Sequence, residues 1–222
     1  MAASKRSTSQ CYPTLITCGV VLLLGVLASC SELDNASPPP VAQTNTLSAR
    51  IETDRGTIVV DLATDRAPVL SANFANLVGR QFFDGLAFYR SSTVMRQAGN
   101  PYHTEGQYYN PGYRLLPEFN PELTFDTGGV LAMLLWRDDN LADLRQTEFF
   151  LTVKPQDPWT FKYPIFGFVR EGGDVVLALQ DGDVIRSVRL EGDPTALFTA
   201  HANQRKQWNE ALDASPPRSS SN

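Results

Sequence analysis

From Ala49 the chain alternates apolar and polar positions with a period of two: Ile51 and Thr53, a turn at Asp54, Arg55 and Gly56, then Ile58, Val60 and Leu62. That pattern predicts a β-hairpin. The period then lengthens. Asp65 and Pro68 open a stretch in which Val69, Ala72, Phe74, Leu77 and Val78 share one helical face, with Gly79 where a helix is expected to stop. Period two returns at Leu86, Phe88 and Arg90, and short strands are predicted at 128–135, 147–153, 165–169 and 184–190, with a short helix at 175–179. Residues 101–120, rich in Tyr, Gly, Asn and Pro, predict a surface loop. Residues 136–146 predict a long joiner between two strands. Phe149 and Phe150 are adjacent in a strand and should face opposite sides, one into the core and one outward.

Both ends depart from this pattern. Beyond Leu190, Asp193 and Pro194 suit an N-cap and first helical position, and Leu197, Ala200, Trp208 and Leu212 fall near one face, so one terminal amphipathic helix is expected to dock on the chain's own domain. At the front, Lys5 and Arg6 precede an apolar run over 15–28 that is short for a membrane span and suits a secretory signal. Residues 31–48, with three consecutive prolines, have no apolar face and predict a tether.

Composition adds exclusions. The formal net charge is -5 over 222 residues, with no basic stripe, which argues against a nucleic-acid partner held through phosphates. The three cysteines, Cys11, Cys18 and Cys30, all precede the patterned region, so disulfides have no role in its fold. His103 and His201 stand alone and no glycine loop carries a phosphate-binding lysine, so neither a metal nor a cofactor is expected. One residue asks for a reason. Arg90 lies on an otherwise apolar alternating face with Met95 and Gln97 a few positions on, either as a paired edge-strand arginine or as a working group.

The stretch FDGLAFYRSSTVMRQAGN, from Phe83 to Asn100, resembles the signature of the cyclophilin family of peptidyl-prolyl isomerases, DGxxFHR followed by FMxQGGD. GGVLAM, TEFFLT and YPIFGFVREGGDVV resemble the family's GxLSM, SQFFIT and HxVFGxVxxGxDVV, and RGTIVVDLATDRAPVLSANFANLV resembles its opening strands and first helix. The likeness covers about 49–190. It implies a mainly β fold: a closed antiparallel eight-stranded barrel capped by two helices, here with an extra C-terminal helix over 191–222. It also implies Arg90 as the catalytic donor, Val94, Met95 and Phe150 as the pocket for the proline ring and Gln97 as a bond to the substrate backbone, with Leu134, Leu135, Glu148, Trp159 and Tyr163 also around the proline-containing polypeptide. Leu27, Ala28, Ser29 and Cys30 resemble a bacterial lipobox, which implies a signal peptide over 1–29, lipidation at Cys30, a tether over 30–48 and a place on the exported side of the cell envelope or an internal membrane.

Several groove positions depart from the family. Leu134 and Leu135 replace Ala-Asn, Glu148 replaces the Gln of SQFF, Tyr89 and Tyr163 replace two histidines, Val94 replaces a Phe, and the segment from Arg90 to Gln97 is one residue short. Glu148 is expected to pair with Arg90 and occupy its donors. Two readings stay open: a membrane-tethered isomerase or foldase with weak turnover, and a non-catalytic lipoprotein that docks in a membrane complex through the barrel and C-terminal helix.

Overall fold

A computed structural model describes residues 46–138 and 141–215. The signal segment, Cys30, most of the tether and the tail beyond Ser215 lie outside the described residues. The hairpin forms as the alternation predicts, β1 (Ser48–Thr53) against β2 (Gly56–Leu62), with Ala49, Ile51, Ile58, Val60 and Leu62 buried. Helix α1 (Pro68–Gly79) begins with Pro68 at its first position, and its first free amides are satisfied from a distance. Glu118 accepts from the Val69 and Leu70 amides at 3.2 and 2.8 Å, so a loop carboxylate caps the positive end of the helix. Gly79 is the last helical residue rather than the one beyond it.

The remaining strands are β3 (Arg90–Ser91), β4 (Met95–Ala98), β5 (Val130–Asp138), β6 (Leu141–Thr152), β7 (Ile165–Glu171) and β8 (Ile185–Glu191), with α2 (Gly173–Ala178) between the last two. They form one antiparallel sheet in the order β3-β4-β6-β5-β7-β2-β1-β8, curled into a half-barrel. The expected closed barrel is not formed. Its two edges are β3 and β8, and they are joined by the isolated bridge Ala87–Val184 and a few backbone bonds such as Phe88 N to Asp183 O at 2.9 Å. With only two residues, β3 is too short to carry a ladder to β8.

Residues 136–146 are a second correction. They do not form a joiner: β5 and β6 continue past the sheet as a paired arm, Leu135 opposite Leu144 and Asp138 opposite Leu141, after a register shift between Met133 and Leu135. The C-terminal segment also differs, forming α3 (Thr195–Ala200) and α4 (Ala202–Ala214) rather than one helix. Trp208 and Leu212 are buried on the domain, Ala200 is exposed, and Trp208 lies 5.9 Å from Tyr113 between ring centroids.

Phenylalanines hold the centre. Phe74 of α1 meets Phe83 at 5.1 Å, Phe149 edge-on at 5.6 Å and Phe166 at 5.3 Å, which anchors the helix to the concave side of the sheet. Burying one such ring contributes about 1.5–3 kcal/mol. The loop over 101–120 is tied into the same core. Tyr109 and Tyr113 are buried, and the Tyr113 hydroxyl donates to Asn73 Oδ1 at 2.6 Å while Asn73 Nδ2 donates to Gln146 O at 2.7 Å.

Candidate functional site

The strand register places Arg90 opposite Gln97, Gln97 opposite Phe150 and Phe150 opposite Ala132. Directly opposed residues share a face, so one row crosses β3, β4, β6 and β5 with a cation at its open edge and an aromatic ring inside. Two of the three row residues named from sequence differ sharply in exposure. Phe150 is fully buried, whereas Arg90 is exposed and its guanidinium makes no hydrogen bond or ion pair among the described residues.

Phe150 is not an open floor. Its ring lies 5.3 Å from Tyr163 and 5.7 Å from Trp159, both edge-on, and is stacked 6.3 Å from Phe125. Trp159, on a short 3-10 helix at Asp157–Trp159, and Tyr163 are half-buried and contact each other at 5.4 Å. The structure therefore brings Phe150, Trp159 and Tyr163 together as expected from their motifs. Phe149 and Phe150 do face opposite sides, but both are buried, because the second face is covered by this aromatic group. Phe125 was not among the expected residues, and it stands in a stretch with no strand pattern.

Met95 is buried on β4 and Val94, half-buried beside it, accepts from the Val153 amide at 2.9 Å. Leu134 and Leu135 sit farther along β5, at the shift into the arm, where Leu135 is buried opposite Leu144. They are not part of the Arg90 row, whose β5 member is Ala132.

Glu148 behaves differently from its expected role. It is 3 % exposed, and its Oε2 accepts from the Tyr89 hydroxyl and from Gln97 Nε2 at 3.1 Å; the Tyr89 hydroxyl in turn accepts from Gln97 Nε2. No Arg90–Glu148 pair forms. The Tyr89 phenol lies against Gln97, and the buried carboxylate takes these nearer donors. Burial pushes the Glu148 carboxyl above its ordinary value, opposed by its bonds to Tyr89 and Gln97 and by the charge of Arg145. Burial and the Glu148 charge likewise hold the Tyr89 phenol far above the usual range, with Gln97 and the Arg90 charge pulling weakly the other way. The phenol is therefore a protonated donor. Its ring stacks on His103 at 5.1 Å.

The turn that carries Arg90 is held from below. Arg96, buried in β4, donates to the carbonyls of Ser92 and Met95, and to Leu177 O at 2.8 Å, while the Ser91 amide donates to Asp181. Sequence reasoning passed over Arg96. The signal was present, since a charged residue at consecutive buried positions of a short strand has to find acceptors.

Residues 48–197 match the model of the family described as cyclophilin type peptidyl-prolyl cis-trans isomerase/CLD. The chain is 34% identical over 129 residues to peptidyl-prolyl cis-trans isomerase-like 1 of Rhizopus delemar, covering 57% of this chain and 75% of that protein. It is 30% identical over 140 residues to peptidyl-prolyl cis-trans isomerase B of Bacillus subtilis, covering 63% of this chain and 94% of that protein. Among solved structures, a cyclophilin type isomerase of Cryptosporidium parvum superimposes with a TM-score of 0.60 at 22% identity, over 67% of this chain and 99% of its own.

Proposed function

This chain belongs to the family of cyclophilin-type peptidyl-prolyl cis-trans isomerases, and on that premise we propose that it catalyses X-Pro isomerisation in polypeptides on the exported side of a bacterial membrane, with weak turnover. The observation that carries this reading is Arg90, unpaired and exposed at the end of the row that runs through Gln97 to Phe150. The Cryptosporidium parvum enzyme was also solved in the presence of the dipeptide Ala-Pro, which supports a proline-containing ligand for this groove.

The chemistry needs little machinery. Rotation about an X-Pro amide breaks resonance against a barrier of about 18–20 kcal/mol and takes roughly tens to hundreds of seconds unaided. As the bond twists, the nitrogen lone pair localises and becomes a better acceptor. A fixed guanidinium donor beside it lowers the barrier only in that state, which is what raises a rate. Arg90 fits, because its fork is always charged and no neighbour competes for it. Weak turnover follows from the rest of the row: both amide protons of Gln97 are engaged by Tyr89 and Glu148, and Phe150 is covered by Trp159, Tyr163 and Phe125.

Membrane attachment rests on the sequence Leu27, Ala28, Ser29, Cys30; no helix among the described residues is long and apolar enough to cross a membrane. Docking through the C-terminal helix has less support, since Trp208 and Leu212 are used against the chain's own domain. The test is an isomerisation assay on an X-Pro peptide. Arg90→Ala should lower the rate about a hundredfold, the scale of removing one transition-state donor, and a rate insensitive to Arg90 would reject the assignment. Cys30→Ser should release the protein from membrane fractions, and unchanged fractionation would reject the anchor.

A further inference from the structure

Gln97 is 3 % exposed, yet its Oε1 is buried without a hydrogen-bond partner, while its Nε2 donates both to the Tyr89 hydroxyl and to Glu148 Oε2. That orientation is set by chemistry. A carboxyl oxygen accepts whether or not its partner oxygen carries a proton, and the O–H of the phenol already donates to Glu148. Turning the amide over would set Oε1 against two acceptors. Both donors of Gln97 are thus committed, and the atom left over is an acceptor whose burial unpaired is costly.

The neighbours indicate where a partner for it would come from. Gln97 lies between Arg90 and Phe150 in the row described above, and the guanidinium of Arg90 is exposed and unpaired among the described residues, so a peptide that engages Arg90 also lies beside Gln97. We propose that Tyr89 and Glu148 are positioning residues that fix the amide of Gln97, so that this groove recognises a backbone N–H near the X-Pro bond of its substrate through Gln97 Oε1. The inference rests on the isomerase reading and adds the polarity of recognition at that one contact. Neither Tyr89 nor Glu148 needs to touch substrate for this to hold.

The test uses the full chain, the peptide Ala-Ala-Pro-Ala-Ala, and backbone-ester analogues that each lack one N–H, with affinity read by NMR titration and turnover read separately. One ester should bind the unaltered protein about tenfold more weakly than the parent peptide, the scale of one hydrogen bond to a desolvated acceptor. Gln97→Leu should bind that ester and the parent equally. Tyr89→Phe, which keeps the ring on His103, and Glu148→Leu should shrink the ratio toward one, whereas Glu148→Gln, still an acceptor, should retain it. A purely structural role would weaken both peptides together and leave the ratio unchanged. If Glu148→Leu does not fold, Tyr89→Phe carries the comparison. Esters that all bind like the parent, with turnover intact, would overturn the inference and leave the isomerase reading standing. Turnover that is absent and insensitive to Arg90 would remove that reading instead, and the ester ratio would still report on Gln97.

Discussion

Glu148 accepts a hydrogen bond from the phenol of Tyr89, and Arg90, which follows Tyr89 in the chain, is left with its guanidinium in solvent. The carboxyl at this position is therefore satisfied by hydrogen bonds within the core rather than paired with the cation at the edge of the groove. Arg90 stays available, and Glu148 carries a burial cost.

That cost has a pH signature. The folded-state pKa of Glu148 is raised by burial, so its contribution to stability is fully present below its ordinary carboxyl value and is lost as pH rises through the raised value. Glu148→Gln, which keeps an acceptor without the charge, should match the parent in mildly acidic buffer and exceed it in melting temperature at pH 8. Equal differences at both pH values would contradict the burial argument.

Asn73 links α1 to β6 and to the loop over 101–120 through Gln146 O and the Tyr113 hydroxyl. Asn73→Ala leaves both of those groups buried without their partner. Urea titration should show a loss of about 2–4 kcal/mol, the scale of two orphaned polar groups.

Gly99 follows β4 at φ +97°, and a Cβ there would lie 2.1 Å from the Thr147 carbonyl oxygen. Gly99→Ala must displace the backbone that presents Glu148, so it should destabilise by more than about 2 kcal/mol. Gly106 has a similar φ of +65° with nothing within 4 Å of the added carbon, and Gly106→Ala should cost only about 1 kcal/mol. Chemical denaturation of the pair separates steric clash from backbone strain.

Trp208 is 3 % exposed against Tyr113, and α4 is tied to α1 by Asn76 Nδ2 donating to Asn209 Oδ1 at 2.9 Å. Trp208→Ala should lower stability by about 3–5 kcal/mol, as for other buried aromatic truncations. A variant as stable as the parent would mean that α4 is not held on the domain.

Much of the site was readable because strand periodicity is strict. Once Arg90 and Phe150 are placed on strands, alternation decides which faces they share, and the motif around Trp159 and Tyr163 brought those rings to Phe150. Three features were not readable from local pattern. Glu118, lying 49 residues beyond Val69, caps α1; Phe125 covers Phe150 from a stretch without strand period; and Tyr89 takes the carboxylate expected for Arg90. Each depends on contacts between distant segments, where competition among donors and acceptors is settled by distance and burial.

By itself, the order of residues determined the strands, the helix behind Pro68 and the family, because these follow from local period and motif spacing. Only the tertiary structure decided that the sheet stays open between β3 and β8, that residues 136–146 extend two strands, and that Glu148 turns inward to Tyr89 and Gln97. The reason is geometric. A two-residue strand has too few backbone groups to close a barrel, and a buried carboxylate is stabilised by whichever donors the packed core places nearest.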